Sequence, residues 1–359
     1  MNDTKYLDAI LGQPLSLECQ KAFIQKLCGC NFLGKHACPG SNTPADSYFR
    51  YQEEQCRLAI YDDQRIGLTA TYRDIVQVIQ AIQDENLDRD ALNLRLQTKS
   101  EIEKSDTDSA KTAYDDSDEC ADNLINLSIS LWLMIPIGRF RQISQPGTSL
   151  DWQMGSLQDT LALQFKQTAP TKSPITLGKS FNARNIQTIG GIRIIWTDNL
   201  GDHLRVHDEP TRVSIFHHFT FLQYHQQTQT RVFPPGFIEE TLKTLALLLP
   251  CHDQKVKSWY QKEARRFKLD ENAVRGKPLK TEDRQLETFE YWNERIEILK
   301  DIFDDAEPNT VLQWWQDRRR KVQWYTFWVA VLVLVLTVFF GIIQSIEGGM
   351  QVYKAYHPS

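Results

Sequence analysis

The sequence predicts a mainly α-helical body with a small β element, carried on one C-terminal membrane-spanning helix. Three observations predict it. Trp324 to Ile346 reads WYTFWVAVLVLVLTVFFGIIQSI, with no Asp, Glu, Lys or Arg, and about 20 apolar residues are enough to cross a bilayer core of about 30 Å. Tyr72, Ile75, Val76, Ile79 and Ile82 recur at helical spacing, one apolar stripe of an amphipathic helix. Ile192–Trp196 and Val213–Phe216 are β-branched runs separated by turn residues. A short helix before these two strands predicts a winged-helix-like unit over about 181–225.

The composition is globular, with 359 residues, 41% hydrophobic and 24% charged. This excludes a collagen-like chain, a disulfide mini-protein and a wholly disordered chain. Residues 1–98 read as a mostly helical N-terminal region, broken into loop between Cys28 and Phe49 by Gly29, Gly34, Pro39, Gly40 and Pro44. Residues 99–122 hold nine acids against three lysines and predict an acidic flexible linker. Residues 123–307 form an α+β domain. Within it, Leu124 to Ile137 is a buried strand or helix interrupted by Pro136. Ser156 caps a short helix running to Phe165, and Pro234–Pro235 opens a helix from Gly236 to Leu249 that Pro250 ends. Lys255 to Lys280 carries nine Lys or Arg against three acids. A helix over about Glu282–Asp304 presents Phe289, Trp292, Ile296, Leu299 and Phe303. Residues 308–323 form a basic, Trp-rich juxtamembrane helix, 324–346 the span and 347–359 a short non-cytosolic tail.

The flanks orient the span. Arg318, Arg319, Arg320 and Lys321 precede it and only Lys354 follows, so the positive-inside rule puts the N-terminal side in the cytosol. Trp324 and Trp328 sit at the edge where amphipathic rings favour the interface. No signal-peptide run opens the chain, so the expectation is a tail-anchored, single-pass protein, destined for the ER and secretory pathway rather than the mitochondrial outer membrane. Thr337, Gly341, Ser345 and Gly349 recur every four positions, a stripe of small residues suited to helix association in lipid and to a homo-oligomer.

Two clusters have metal-ligand chemistry. Cys28, Cys30, His36 and Cys38 offer thiolate and imidazole for zinc. Asp198, Asp202 and His203, with His207 and Asp208, offer oxygen and imidazole for a divalent cation, or simply the Asp and Asn turns such residues favour. His217 and His218 read as structural, because neighbours on a strand face opposite ways. Gly178–Lys179–Ser180 ends like a phosphate loop but has Ser173 where that loop needs glycine. No G-x-S-x-G signature marks a nucleophile.

A set of residues runs through the C-terminal half: Trp196–Thr197–Asp198–Asn199–Leu200, Asp202–His203–Leu204, Ile215–Phe216 and Phe233–Pro234. It continues with Trp314–Trp315–Gln316–Asp317–Arg318–Arg319, Phe327–Trp328, Phe340–Gly341 and Gln351–Val352–Tyr353. On these residues the chain resembles an uncharacterised filamentous-fungal family of C-terminally anchored, single-pass membrane proteins. The resemblance implies the anchored architecture and supplies no activity.

The functional expectation is a tail-anchored protein with a cytosolic interaction or regulatory module. Membrane lipid and an unidentified protein are its expected partners, with no nucleic acid and no required cofactor. The alternatives are a membrane-tethered metal-dependent enzyme and an oligomeric pore.

Overall fold

The computed structural model describes residues 7–28, 46–61, 66, 70–85, 87–105, 116–138, 147–168, 175–207, 211–228, 232–306 and 321–356. Five helices open it: α1 (Leu17–Cys28), α2 (Asp46–Tyr61), α3 (Tyr72–Glu85), α4 (Arg89–Ser105) and α5 (Asp116–Leu133). The α3 stripe is buried at Tyr72, Ile75, Val76, Ile79 and Ile82, and α3 packs against α5. The expected 99–122 linker is therefore helical at both ends, with α4 running to Ser105 and α5 starting at Asp116. Residues 106–115 lie outside the described residues.

The LINLSISLWLMIPI run resolves into the buried half of α5. The helix stops at Met134, whose φ is 52°, two residues before Pro136, which cannot continue a helix. Its last carbonyls end inside the protein and need donors. Tyr48 Oη donates to Leu131 O at 2.9 Å, Tyr51 Oη to Ser130 O at 3.0 Å and His225 Nε2 to Trp132 O at 3.0 Å. Two elements far apart in the chain thus close one helix end.

The remaining body contains α6 (Leu157–Gln164), α7 (Ala183–Thr188), β1 (Arg193–Thr197), β2 (Val206–His207), β3 (Arg212–Phe216), α8 (Phe219–Thr228), α9 (Phe237–Leu248), α10 (Gln254–Phe267) and α11 (Asn293–Asp305). Ser156 caps α6 by accepting from the Asp159 N–H. The sheet order is β1-β3-β2, with β1 parallel and β2 antiparallel to β3. The expected winged-helix-like unit is not established by this sheet, whose two longer strands run parallel. One hydrophobic core runs from Leu7 through Trp132, Phe216 and Trp292 to Phe303.

The predicted helix over Glu282–Asp304 begins only at Asn293. Phe289, Trp292, Ile296, Leu299 and Phe303 are all buried as expected, but the chain before Asn293 forms two short 3₁₀ turns. The cause is Glu240 on α9. Its buried carboxylate accepts the backbone N–H groups of Glu290 (2.7 Å), Tyr291 (2.9 Å) and Trp292 (2.8 Å). These donors precede the first turn of α11, where an anion is favoured by the unpaired N–H groups and the helix dipole.

The last element, α12 (Lys321–Tyr356), is one continuous helix of 36 residues. Within its segment Tyr325–Tyr353, the most apolar stretch of 18 residues has a mean hydropathy of 2.7 and none of that stretch is buried. The segment is long and apolar enough to cross a membrane, at about 43 Å for 29 residues. The helix continues through 347–356, the first part of the expected tail.

Candidate functional site: a carboxylate between two histidines

Parallel pairing of β1 and β3 sets the registers Trp196↔Ile215 and Thr197↔Phe216. The residues that follow, Asp198 and His217, therefore leave the sheet side by side at its carboxyl end. His217 and His218 lie past the last paired residue, so the alternation of a strand no longer applies to them. Their rings stack with centroids 4.0 Å apart. Both reach the same oxygen of Asp198, His217 Nε2 at 3.2 Å and His218 Nε2 at 2.6 Å. The expectation that the two rings face opposite ways is thus corrected, because β3 ends at Phe216. Among the described residues these three form the one group of metal-ligand type whose donor atoms lie within 4.8 Å of one another.

The hydrogen bonds fix the protonation. The Asp270 backbone N–H donates to His217 Nδ1 at 3.3 Å, so that nitrogen carries a lone pair and the proton sits on Nε2. His218 Nε2 likewise donates to Asp198, which leaves its Nδ1 a lone pair with no partner among the described residues. Both rings are buried while the Asp198 side chain is 53% exposed. Burial, helped by the neighbouring His217, pushes the His218 pKa down to about 4 against the pull of Asp198. Partial burial opposes ionisation of Asp198, but the two imidazole bonds outweigh it and hold the carboxyl well below the usual carboxylate range.

This donor set does not fit a metal ion in its present protonation. A ligating histidine turns a lone pair to the metal and donates its other N–H to an acceptor. His217 Nδ1 faces a donor instead, and His218 Nδ1 faces no acceptor. The cavity beside His218, lined by Ser47, Tyr48, Thr220 and Asp270, measures about 10 Å³, space for no more than one water molecule.

Asp202 and His203, expected to join Asp198, belong to other networks. Asp202 Oδ1 accepts the Thr148 N–H and Thr148 Oγ1 at 2.8 Å each, and its Oδ2 accepts Asn199 Nδ2 at 2.9 Å. It pins the 147–150 segment to the turn after β1. His203 Nδ1 accepts the Phe216 N–H at 3.2 Å, so Nε2 donates to Thr244 Oγ1 at 2.7 Å. Burial first, and then the nearby Arg295 cation, lowers its pKa to about 3. His207 bonds Ser214 Oγ at 2.9 Å.

Of the cysteine cluster, Cys30, His36 and Cys38 lie outside the described residues and Cys28 ends α1. Arg318, Arg319 and Arg320 also lie outside them, while Lys321 and Trp324 fall in the first turn of α12. Trp328 is half-buried, edge-on to Phe327 at 5.3 Å. In the small-residue stripe, Thr337 and Ser345 spend their hydroxyls on Val333 O and Gly341 O of their own helix. Gly341 and Gly349 face open space.

Sequence reasoning missed Glu240 and the pairing of Asp198 with His217 and His218. A signal existed for the second: two strands and a single crossover predict a parallel pair, and a parallel pair aligns the residues after each strand. Comparison with protein-family models, with curated proteins and with solved structures finds no match to this chain.

Proposed function

We propose that this chain is a single-pass membrane-anchored protein whose globular body works at the cytosolic face as an interaction or regulatory module. The observation that carries the reading is α12, apolar over Tyr325–Tyr353 and uncovered by the body. A core helix of a soluble protein would be buried, and a secretory signal would lie near the N-terminus. Exposed Leu332, Leu334, Phe339 and Phe340 favour lipid over water. The four cations at 318–321 support a cytosolic body. The resemblance to anchored fungal proteins is consistent with the same architecture. A metal-dependent enzyme has less support, since the two imidazoles of the Asp198 group are held in the wrong tautomer for ligation.

The test is alkaline carbonate extraction of the full chain beside a chain ending at Arg320, followed by protease protection in sealed microsomes. Retention of the full chain alone in the membrane pellet, with the body digested from outside, is the expected result. A full chain released by alkali overturns the anchor, and a body protected inside the vesicle overturns the orientation.

A further inference from the structure

We infer that the outer face of α10 is a second membrane contact, a basic surface that docks on anionic lipid headgroups. This rests on the anchored reading and names the lipid chemistry that the body would meet. Residues 254–268 hold six Lys or Arg and one acid. The helix divides them by face. Val256, Tyr260 and Ala264 are buried, and Trp259 and Tyr260 pack near Trp196, with ring centroids at 6.1 and 5.4 Å. The single acid, Glu263, is turned to the same side, 3.5 Å from Trp196 Nε1. The exposed side carries Lys255, Lys262, Arg265, Arg266 and Lys268 with no carboxylate among them. None of these five makes an ion pair among the described residues. Neutralised surface cations usually sit beside acids; here the acid has been moved inward and the cations left to solvent.

The end of the helix adds an apolar element. Phe267 is 48% exposed, with the Arg266 guanidinium 4.9 Å from its ring centroid. Lys268 takes a left-handed conformation that ends the helix, and Arg50 of α2 donates to its carbonyl at 2.7 Å. An exposed aromatic ring within a patch of cations matches the headgroup region of a bilayer, where apolar surface and anionic charge lie at one depth. Nucleic acid would ask for several stacking rings along the groove, and this face has one.

The tether makes the encounter local. Fourteen residues, 307–320, join the body to α12, and so few residues span at most about 50 Å. A body of this length has a radius of gyration of about 19 Å, so the anchor keeps its surface close to the bilayer. Charge favours contact through the α10 face, within about 8 Å of an anionic surface at physiological salt.

The test is lysine footprinting by mass spectrometry on the full chain in lipid nanodiscs, with Lys21 as an exposed reference. Nanodiscs of phosphatidylcholine alone are compared with nanodiscs containing about 30% phosphatidylserine. The expected result is an acylation rate at Lys255, Lys262 and Lys268 at least about threefold lower with phosphatidylserine, restored by about 0.5 M salt. Lys21 is unchanged. In the variant Arg265→Glu/Arg266→Glu the protection of the three lysines disappears while the chain still resists alkaline extraction. Equal rates in the two lipids, with the chain integrated, overturn the α10 contact and leave the anchor standing. Protection by added RNA that phosphatidylserine does not reproduce overturns it in favour of nucleic acid. A chain that does not integrate overturns both.

Discussion

In α12 the hydroxyls of Thr337 and Ser345 are satisfied from within the helix. Thr337 bonds the carbonyl of Val333 and Ser345 that of Gly341, each four residues away. In the body the corresponding groups reach across the fold. Glu240 meets backbone donors 50 to 52 residues on, and His225 meets a carbonyl 93 residues back. The difference matches the anchored reading, because a segment in lipid would have no outside donors or acceptors and each turn would have to close its own hydrogen bonds. A body in water can bury a carboxylate or an imidazole, provided tertiary contacts replace the lost water.

The largest expected effect breaks the first half of that comparison. Leu334→Arg together with Val338→Arg puts two charges at the centre of the apolar segment, each disfavoured by about 3 kcal/mol. Most of the chain should then leave the membrane pellet, whereas Leu334→Ile should stay in it. Retention of the double variant would mean that α12 does not sit in hydrocarbon.

The second prediction bears on the buried imidazoles. Burial lowers the pKa of His203 to about 3 and of His218 and His225 to about 4. The unfolded chain takes up these protons near pH 6.5 and the folded chain does not. Stability is therefore full above pH 6.5 and falls as pH drops toward 4, by up to about 1.4 kcal/mol per pH unit for each group. Burial raises the carboxyls of Glu240 and Asp270, which bind protons in the folded state and flatten the slope at its acid end. Denaturant unfolding of the full chain in detergent between pH 7 and 5 should show a slope approaching three protons, and His225→Phe should remove one of them. A flat profile would show that these rings are charged or solvated.

Glu240 sharpens the second half of the comparison. Glu240→Ala orphans three backbone N–H groups at the start of α11 and should lower stability by about 3 kcal/mol. For a body of this size that is a fall in Tm of about 5 °C. Glu240→Gln, which keeps one acceptor oxygen, should cost less than half as much. Equal losses for the two variants would place the effect in packing rather than in the bonds.

The smallest effect is at Asp198. Asp198→Asn keeps an acceptor for the two imidazole N–H groups and should cost about 1 kcal/mol. Excess zinc should leave the Tm of the wild-type chain within about 1 °C, because both rings are held in the wrong tautomer for ligation. A zinc-dependent rise that Asp198→Asn abolishes would overturn this tautomer assignment and favour the metal-enzyme reading.

Much of the helical framework is legible along the chain. The α3 stripe, the Ser156 cap and the stop at Pro250 each depend on residues within a few positions of one another, and each appears where the spacing puts it. The burial of Phe289 through Phe303 was legible as well, since it follows from hydrophobicity. The start of α11 was not, because the competing acceptor lies on another helix. The candidate site was half legible. Asp198 stood out as a ligand type, but Asp202 and His203 were grouped with it by proximity in sequence, and the fold sends them to Thr148 and Thr244.

A helix long and apolar enough to cross a membrane could be read from composition because transfer into hydrocarbon acts on each residue separately, and the energies add along the segment. The side chains that meet at Asp198, and the point at which α11 begins, depend on the parallel register of β1 with β3 and on the reach of Glu240 from α9 to the chain just before α11. Those are contacts between residues far apart in the chain, whose energies exist only once the elements have come together.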